Sequence, residues 1–554
     1  MTAPLHILMV AAENDGIETP KGQEAKAGGI ADVVRDTPPA LAALSNPDCR
    51  ITVVVPSYGF LNKLKGAEQL PVYDFPFAGS REGVVPFEVK GKKPDPKVRH
   101  LVLHNPRFES RHPDTNKLTI YCNDPPGRPF ATDATKYACF CAAVAEGLKR
   151  NVFRDVNRLH LHDWHAAFLL ILRRFDPDFE KLKGLRAIYT IHNLALQGIR
   201  PFHGNPLLLP DPSSLATWYP NLILKDQDKL RLIDPEYQYR LDPKHQDCLN
   251  PMAVGIRLSD AVHAVSPGYK VEILEQSLPR RSDNDAIRFG GEGLENDLRQ
   301  ADQGNRLFGI LNGCDYDSRT MPPRDFPAYQ ELLNLIQRTL ARVESEKPDP
   351  VHRHALERIS DLQLSPHRPE TLLTCVTRAV NQKLRLMQLP EGRPALDQIL
   401  QGLPASSLLI LLGTGDENVE LFLSERRSER NFLFLKFFDT ACAASLYANG
   451  DLFLMPSSFE PCGISQMLAM RDGQPCVVHN VGGLKDTVED GRTGFSFSGD
   501  DPKTQAERFI ETVFQAVRIL RTDPDRYQAI SEAAFQKRFL WSDSVTEYVD
   551  KLYR

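Results

Sequence analysis

The chain has 554 residues, and a single hydrophobic core stops growing at roughly 250–300 residues, so at least two domains are expected. Hydrophobic residues make up 42% of the chain and charged residues 25%, which excludes an intrinsically disordered protein. The 67 basic and 72 acidic residues give a formal net charge of −5 without a long run of one sign, which argues against nucleic acid or an anionic membrane as the partner.

The amino terminus contains an apolar run, Leu5 to Ala12, that has no basic leader before it and is too short to cross a bilayer. The ten cysteines include no CxxC pair, so they are expected to be buried thiols in a reducing compartment. We therefore predict a cytoplasmic protein.

This first apolar run has the length of a buried strand, and after a long loop the apolar spacing from Gly29 onward is helical. Similar strand-like runs alternate with helical stretches through the first half, at residues 51–55, 98–103, 159–161, 187–190 and 261–265. Short apolar strands that alternate with helices indicate a mostly parallel, doubly wound α/β sheet.

A polar, glycine-rich stretch from Ser277 to Asn305 interrupts the alternation, and a new strand-like run begins at Leu307. We place the domain boundary there, with residues 1–300 in the first domain and 301–530 in the second. The second half repeats the pattern, at residues 371–376, 407–412, 432–435, 452–455 and 476–478. We predict two Rossmann-like domains that face each other across a cleft and bind ligand at the carboxyl ends of their strands. The charged segment before the second set of strands, residues 326–370, is predicted to form outer helices without chemistry of their own.

The first candidate motif is KAGGI, which ends the loop after the first strand and opens the first helix. Gly28 and Gly29 would let a phosphate or a sugar approach backbone N–H groups at the helix start, and Lys26 adds a mobile cation. A tight turn with a solvated lysine explains the same residues equally well.

The second candidate is LHLHDWHAAF, where a short strand delivers three histidines and an aspartate to the start of a helix. Zinc is the first interpretation, but His160 and His162 share one face of the strand while His165 lies beyond on the helical turn. We favour a site without metal, in which Asp163 orients the turn and His165 points into the cleft as a donor to a sugar hydroxyl. Burial without function is the alternative for His160 and His162.

Two further strand-to-loop motifs carry polar side chains. YTIHNLALQGI places His192, Asn193 and Gln197 at a strand's carboxyl end, where neutral hydrogen-bonding groups suit an uncharged sugar, although loop scaffolding is equally consistent. TRAVNQK brings Arg378 and Lys383 together around a turn, and their two cations suit the pyrophosphate of a leaving group. An isolated pair of this kind would more often be solvated surface residues.

The most specific motif is FEPCGISQ, from Phe459 to Gln466, at the end of a buried strand. It contains Glu460 beside a proline, and Gly463 is predicted to begin a helix whose N–H groups receive phosphate. A second strand-to-helix turn follows at Gly482 and Gly483. Glu460 could be a buried structural acid, but a carboxylate next to an anion-binding helix start is costly without a polar ligand.

These motifs occur in the order found in bacterial glycogen synthases and plant starch synthases, which the chain resembles over nearly its whole length. The motifs are KAGGIADVV, HDWHA, TIHNLALQG, AVSPGY, GILNGCD, TRAVNQK, LLGTGD, FEPCGISQ and VGGLKDTV. The resemblance implies the two-domain GT-B fold and transfer of glucose from ADP-glucose to the non-reducing end of an α-1,4-glucan, with retention of configuration and without a metal or other cofactor. It also implies that the carboxyl-terminal segment, residues 531–554, returns to pack on the first domain.

The resemblance also assigns roles in the first domain. Lys26 is placed near the donor, with Gly28 and Gly29 near its phosphates. His165 resembles the histidine at the transferred glucose, and Asn193 belongs to the matching sugar-side motif.

In the second domain, Arg378 and Lys383 resemble the cations that neutralise the diphosphate, and Glu460 resembles the carboxylate that holds the glucosyl hydroxyls. The backbone that would face glucose and phosphate belongs to Cys462, Gly463, Ile464 and Ser465. Phe438 stands where the family commonly has a tyrosine that stacks on adenine, which a phenyl ring can also do.

The chain departs from the family pattern at three places, one of which is the stretch from Met387 to Ser407. The loop before Lys26 is longer than usual, and Leu384 replaces the glycine that commonly follows the TRAVNQK lysine, a change expected to alter the turn that presents Lys383. Two alternatives stay open: a glucan-binding or regulatory homologue without turnover, and a glucosyltransferase that uses UDP-glucose or a small acceptor. Because no second carboxylate offers itself as a nucleophile, we expect a front-side transfer rather than two displacements.

Overall fold

The computed structural model describes residues 4–20, 23, 25–112, 116–122, 124–202, 212–222, 242–245, 247–277, 290–316 and 320–554. Their strands form two large sheets and one small antiparallel pair. Part of the polar stretch in which we expected the chain to leave the first domain, residues 278–289, lies outside the described residues.

The first half of the chain alternates strands and helices. Its strands are β1 Leu5–Val10, β2 Cys49–Pro56, β3 Glu68–Gln69, β4 Tyr73–Phe77, β5 Ser80–Val89, β6 Val98–His104, β7 Arg158–His162, β8 Arg186–Ile191, β9 Arg200–Pro201, β10 Cys248–Leu249, β11 Ala261–Ala264 and β12 Leu307–Gly309. Its helices are α1 Gly29–Ala42, α2 Ala131–Lys149, α3 Asp163–Phe175, α4 Leu215–Trp218, α5 Pro251–Leu258, α6 Pro267–Leu274 and α7 Glu295–Gln303.

The first sheet has the strand order β12-β11-β8-β7-β1-β2-β6-β5-β3, with β4 paired to β5. Strands β12 to β6 in this order run parallel, and β5 turns the far edge antiparallel. Helices cover both faces, so the central strands are apolar on both sides, as in β1, whose Ile7 and Leu8 are both fully buried.

The second half repeats the arrangement. Its strands are β13 Thr371–Val376, β14 Ser407–Leu412, β15 Phe432–Leu435, β16 Leu452–Met455, β17 Cys476–His479 and β18 Gly494–Phe497. Its helices are α8 Phe326–Glu346, α9 Pro350–Gln363, α10 Asn381–Gln388, α11 Ala395–Gly402, α12 Glu417–Ser424, α13 Thr440–Asn449, α14 Ser465–Arg471, α15 Gly482–Thr487, α16 Pro502–Thr522, α17 Pro524–Gln536 and α18 Trp541–Glu547, followed by a π-helical segment, Tyr548–Tyr553. These six strands form an all-parallel sheet in the order β15-β14-β13-β16-β17-β18.

One boundary differs from the prediction. The run that begins at Leu307 forms β12 and pairs in parallel with β11 of the first sheet, with Val262 opposite Leu307. The first strand of the second sheet is β13, which begins at Thr371. A three-residue apolar run has no feature that tells to which sheet it belongs, so periodicity misplaced this element.

The carboxyl-terminal residues lie against the first sheet, although they follow the second in the chain. Trp541, Tyr548 and Tyr553 are buried in one apolar cluster with Ile7 and Met9 of β1. The side chains of two arginines in the first sheet also donate to the main chain of the last turn, from Arg158 to Tyr553 and from Arg186 to Leu552.

Both sheets reverse their strand order at one point. In the first sheet the reversal lies between β1 and β7, and in the second between β13 and β16. Loops that leave the carboxyl ends of such neighbouring strands diverge to opposite faces and leave a crevice that receives ligands. The loops at these two points carry KAGGI and HDWHA in the first sheet, and TRAVNQK and FEPCGISQ in the second.

Candidate functional site

A buried carboxylate, Glu13, binds main-chain amides at the end of the loop after β1. Glu13 is 2% exposed and accepts hydrogen bonds from the amides of Ala27 and Gly28, each at 2.6 Å, and from the Tyr121 hydroxyl at 2.7 Å. Burial raises the pKa of Glu13, and these three hydrogen bonds oppose that rise. The Gly28 amide, which the sequence suggested for phosphate, thus faces a carboxylate here, while a side chain added at Gly29 would meet open space.

Lys26 belongs to a network of charges at the start of α1. Its ammonium lies 2.6 Å from Asp32 Oδ1 and 3.9 Å from Asp15 Oδ2. The same two carboxylates bind Arg35, and Asp15 also binds Lys92. The Lys26 side chain is 27% exposed, so its ammonium can reach an anionic ligand if it leaves these carboxylates.

The histidines of LHLHDWHAAF have different hydrogen-bond partners. The His160 ring bonds Tyr553 Oη and Thr190 Oγ1, each at 2.7 Å, and the His162 ring bonds His192 at 2.9 Å. Among the described residues, no cluster of three or more His, Cys, Asp or Glu side chains is arranged to hold a metal ion. His160 therefore links the sheet to the carboxyl terminus, which the sequence alone had left open.

Asp163 orients the next loop. It has a φ of 55° at the start of α3, and its Oδ1 accepts from the amide of His192 at 2.7 Å and from that of Asn193 at 3.4 Å. Burial raises the pKa of Asp163 to about 7, while the two amides oppose the rise. The strand-end motifs of β7 and β8 are thus tied into one unit that holds Asn193 in place.

His165 packs among aromatic rings. Its ring centroid lies 4.2 Å from Trp164, 4.6 Å from Tyr137 and 5.3 Å from Tyr121. Burial lowers the pKa of His165 well below its ordinary value, so the imidazole is neutral, and its Nδ1 has no hydrogen-bond partner among the described residues. A neutral ring with an unpartnered nitrogen can donate to or accept from a hydroxyl.

Tyr121 and Glu13 are site residues that the sequence reading missed. Tyr121 contacts both Glu13 and His165, yet it lies 108 residues from the first and 44 residues from the second in the chain. No local motif marks Tyr121. The available signal for Glu13 was an acid placed shortly after a buried strand.

In the second domain, Lys383 and Glu460 form an ion pair. Lys383 Nζ donates to Glu460 Oε2, which also accepts from the Ser457 hydroxyl at 3.1 Å. The Lys383 side chain is 12% exposed and that of Glu460 is 8% exposed. The structure thus brings together a cation of TRAVNQK and the carboxylate of FEPCGISQ. Arg378 is exposed on the loop between β13 and α10.

Leu384, which follows this lysine, is a core residue. Its side chain is fully buried in the apolar cluster on one face of the second sheet, and the amides of Lys383 and Leu384 both donate to Val380 O. Helix α10 thus places Leu384 in the core, while the Lys383 ammonium contacts Glu460. Phe438 is 56% exposed, as an aromatic platform requires.

The FEPCGISQ turn differs from the prediction in one respect. Helix α14 begins at Ser465, with Ile464 as its preceding residue, whereas Gly463 has a φ of 75° and is not helical. The second glycine turn packs directly on this segment, since the Gly483 amide donates to Glu460 O at 3.0 Å. A Cβ at Gly482 would lie 2.0 Å from that same carbonyl, so only glycine fits.

AVSPGY joins the two domains beside the site. Ser266 Oγ donates to Pro461 O, the Gly268 amide donates to Asp486 Oδ2, and the Gly482 amide donates to Glu272 Oε1, each at 2.6 Å. Cys462 is buried at this junction. Among the described residues, no hydrogen bond or ion pair joins Lys26 or His165 to Lys383 or Glu460.

Comparison with known proteins agrees with this architecture. The profile of the family described as starch synthase catalytic domain matches residues 6–300, and that of glycosyl transferases group 1 matches residues 393–513. Glycogen synthase of Lactococcus lactis is 28% identical over 546 residues, which cover 95% of this chain and 96% of that protein. Glycogen synthase of Aliivibrio fischeri (strain MJ11) is 25% identical over 566 residues, which cover 100% of this chain and 99% of that protein.

The fold is also that of a solved starch synthase. The catalytic domain of starch synthase IV from Arabidopsis thaliana, bound to ADP and acarbose, superposes with a TM-score of 0.72 at 22% identity and covers 100% of this chain and 99% of that one. The two-domain α/β architecture is therefore the GT-B fold predicted from the sequence. With a family profile that spans more than half of its residues, this chain belongs to the starch synthase catalytic domain family of glycosyltransferases.

Proposed function

We propose that this protein transfers glucose from ADP-glucose to the non-reducing end of an α-1,4-glucan with retention of configuration. The observation that carries the proposal is the Lys383–Glu460 ion pair, which lies at the strand-order reversal of the second sheet. A cation for phosphate and a carboxylate for sugar hydroxyls stand side by side there. The ADP and acarbose bound to the plant starch synthase catalytic domain support the same pair of ligand classes.

Both domains would contact the donor, and the second domain would supply most of the contacts. Lys383 and Arg378 would bind the diphosphate, and Glu460 would accept hydrogen bonds from the glucosyl hydroxyls. The backbone of Cys462, Gly463, Ile464 and Ser465 would line the same pocket. Phe438 would stack on the adenine, since its ring is exposed and planar.

The first domain would supply the acceptor side and close over the sugar. His165 and Asn193 would contact hydroxyls of the transferred glucose, and Lys26 would leave Asp32 for the diphosphate. Gly29 leaves open space at the start of α1 for a phosphate, whereas the Gly28 amide would have to leave Glu13 first. Closure would exclude water from the activated sugar, which favours transfer over hydrolysis.

Retention is best explained by a front-side transfer. Among the described residues, each buried carboxylate near the site already has hydrogen-bond partners, so none is offered as a free nucleophile. Glu460 is bound by Lys383 and Ser457. Glu13 is bound by two amides and Tyr121, and Asp163 by two amides. The departing β-phosphate oxygen would take the acceptor hydroxyl proton as the glycosidic bond forms on the face it leaves. Lys383 and Arg378 would stabilise the charge on that phosphate.

Location and further partners are the last part of the proposal. None of the helices among the described residues combines the length and the hydropathy that a membrane span needs. No disulfide joins any of the cysteines, which supports a cytoplasmic location where nucleotide sugars occur. We propose no nucleic-acid or membrane partner and no cofactor.

A donor and acceptor panel tests the proposal. Purified protein is assayed for ADP release from ADP-glucose and for UDP release from UDP-glucose, each with glycogen or maltose, alongside Glu460→Ala. We expect glycogen-dependent ADP release that falls by at least about 100-fold in Glu460→Ala. Glu507→Ala, which removes an exposed carboxylate on α16, is the control. Glycogen binding without turnover would indicate a regulatory homologue, and full activity of Glu460→Ala would refute this placement of the donor site.

A further inference from the structure

The loop between β15 and α13, residues 436–439, carries the exposed ring of Phe438. The residues on either side of that ring are fixed. Phe437 is 4% exposed in the core, and Asp439 caps α13 by accepting from the amide of Ala441 at 3.0 Å. Phe438 itself is 56% exposed, so its neighbours hold its ring outward toward solvent.

The third anchor of this loop is Lys436, which is bound to the hairpin formed by α8 and α9. Its carbonyl accepts from His352 Nε2 at 3.0 Å, and its ammonium lies 2.9 Å from Asp349 Oδ2 and 3.3 Å from Glu420 Oε2. Glu420 in turn accepts from the amide of Gly415 in the LLGTGD motif at 2.8 Å. Lys436 is thus bound on one side by the hairpin and on the other by Glu420 of α12.

The hairpin holds its own contact groups in place. Glu344 of α8 accepts from the Asp349 amide at 2.7 Å and lies 3.4 Å from His352 Nδ1, and His352 is 3% exposed. Arg342, two residues before Glu344, lies 3.8 Å from Asp439 Oδ2. Both helices therefore contact the segment that carries Phe438.

We propose that the α8–α9 hairpin positions Phe438 for the base of the nucleotide donor, with His352 and Asp349 as positioning residues. The sequence assigned no chemistry to this part of the chain. Stacking on a planar base requires a ring already held in one orientation, because ordering a mobile loop on binding costs affinity. The inference rests on the proposed function for the identity of the ligand, a nucleoside diphosphate sugar.

The matched pair of variants is His352→Ala and His354→Ala. Both histidines lie on α9 and donate through Nε2 to a carbonyl, but His354 bonds Arg427 O at 2.6 Å, away from the Phe438 loop. We expect the Kd of ADP, measured by titration calorimetry, to rise about 3- to 10-fold in His352→Ala and to stay unchanged in His354→Ala. Asp349→Asn, which keeps the helix cap and loses the ion pair, should raise it about 2- to 5-fold.

A second measurement separates positioning from general destabilisation. In a Phe438→Ala background, His352→Ala should have no further effect on ADP affinity, because the ring to be positioned is gone. Binding of pyrophosphate, which has no base, should be the same in all variants. An equal loss of ADP affinity with and without Phe438, or an equal loss in His354→Ala, would overturn this inference alone. Absence of ADP binding by the wild-type protein would overturn the proposed function as well.

Discussion

We predict that breaking the Lys383–Glu460 ion pair lowers the stability of the second domain. Lys383→Met keeps the length of the side chain and leaves the Glu460 carboxylate, 8% exposed, with the Ser457 hydroxyl at 3.1 Å as its remaining partner. Breaking a fully buried ion pair costs about 3–5 kcal/mol, and a surface pair about 0–1 kcal/mol. Since both side chains are nearly buried, we expect a cost of about 2–4 kcal/mol.

The assay is the thermal unfolding midpoint measured by calorimetry. A change of 1 kcal/mol shifts Tm by about 2–4 °C for a domain of 150–250 residues, so Lys383→Met should lower the Tm of the second domain by about 4–16 °C. Glu460→Gln added to Lys383→Met removes the uncompensated charge and should restore most of that loss. Lys551→Met breaks an exposed pair with Glu547 and should leave Tm within about 1–2 °C of the wild-type value.

The double variant separates folding from chemistry. It should regain stability and, under the proposed function, transfer glucose at least about 100-fold more slowly than the wild type, because the phosphate would lose its cation and the sugar its carboxylate. A Lys383→Met protein as stable as Lys551→Met, or a double variant less stable than Lys383→Met, would refute the reasoning from burial.

Three further predictions concern single residues. Burial raises the pKa of Asp163 from 3.8 to about 7, so the folded state binds the carboxyl proton more tightly than the unfolded chain does, and the free energy of unfolding should fall as pH rises from about 4 to about 7. Asp163→Asn should remove up to about 4 kcal/mol of that fall, and a variant with the wild-type pH profile in urea unfolding would contradict this prediction. Gly482→Ala places a Cβ 2.0 Å from the Glu460 carbonyl oxygen and should lower the free energy of unfolding by at least about 3 kcal/mol. Gly491→Ala, also at positive φ but with open space around it, should lower it by about 1 kcal/mol, and equal shifts in Tm would refute the steric argument. Tyr553→Phe loses a buried hydrogen bond at 2.7 Å and should cost about 1–2 kcal/mol, while Tyr548→Phe, whose hydroxyl has no partner among the described residues, should be neutral in the same measurement.

The sequence was sufficient for the fold class and for the strand-to-loop motifs. Apolar runs of strand length separated by helical stretches require a parallel sheet covered on both faces, and the carboxyl ends of such strands are where polar loops collect. For this reason the sequence alone places FEPCGISQ at the end of a strand. The same reasoning misplaced β12, because the local pattern of Leu307–Gly309 is the same in either sheet.

Contacts between distant segments were decided only by the tertiary structure. Tyr121 reaches Glu13 across 108 residues, and His160 reaches the hydroxyl of Tyr553 across 393 residues. Leu384 illustrates the same limit, since only the tertiary structure shows that its side chain is buried in the core of the second sheet. Sequence patterns report the periodicity of one segment at a time, whereas the pairing of segments depends on which surfaces the whole chain buries together.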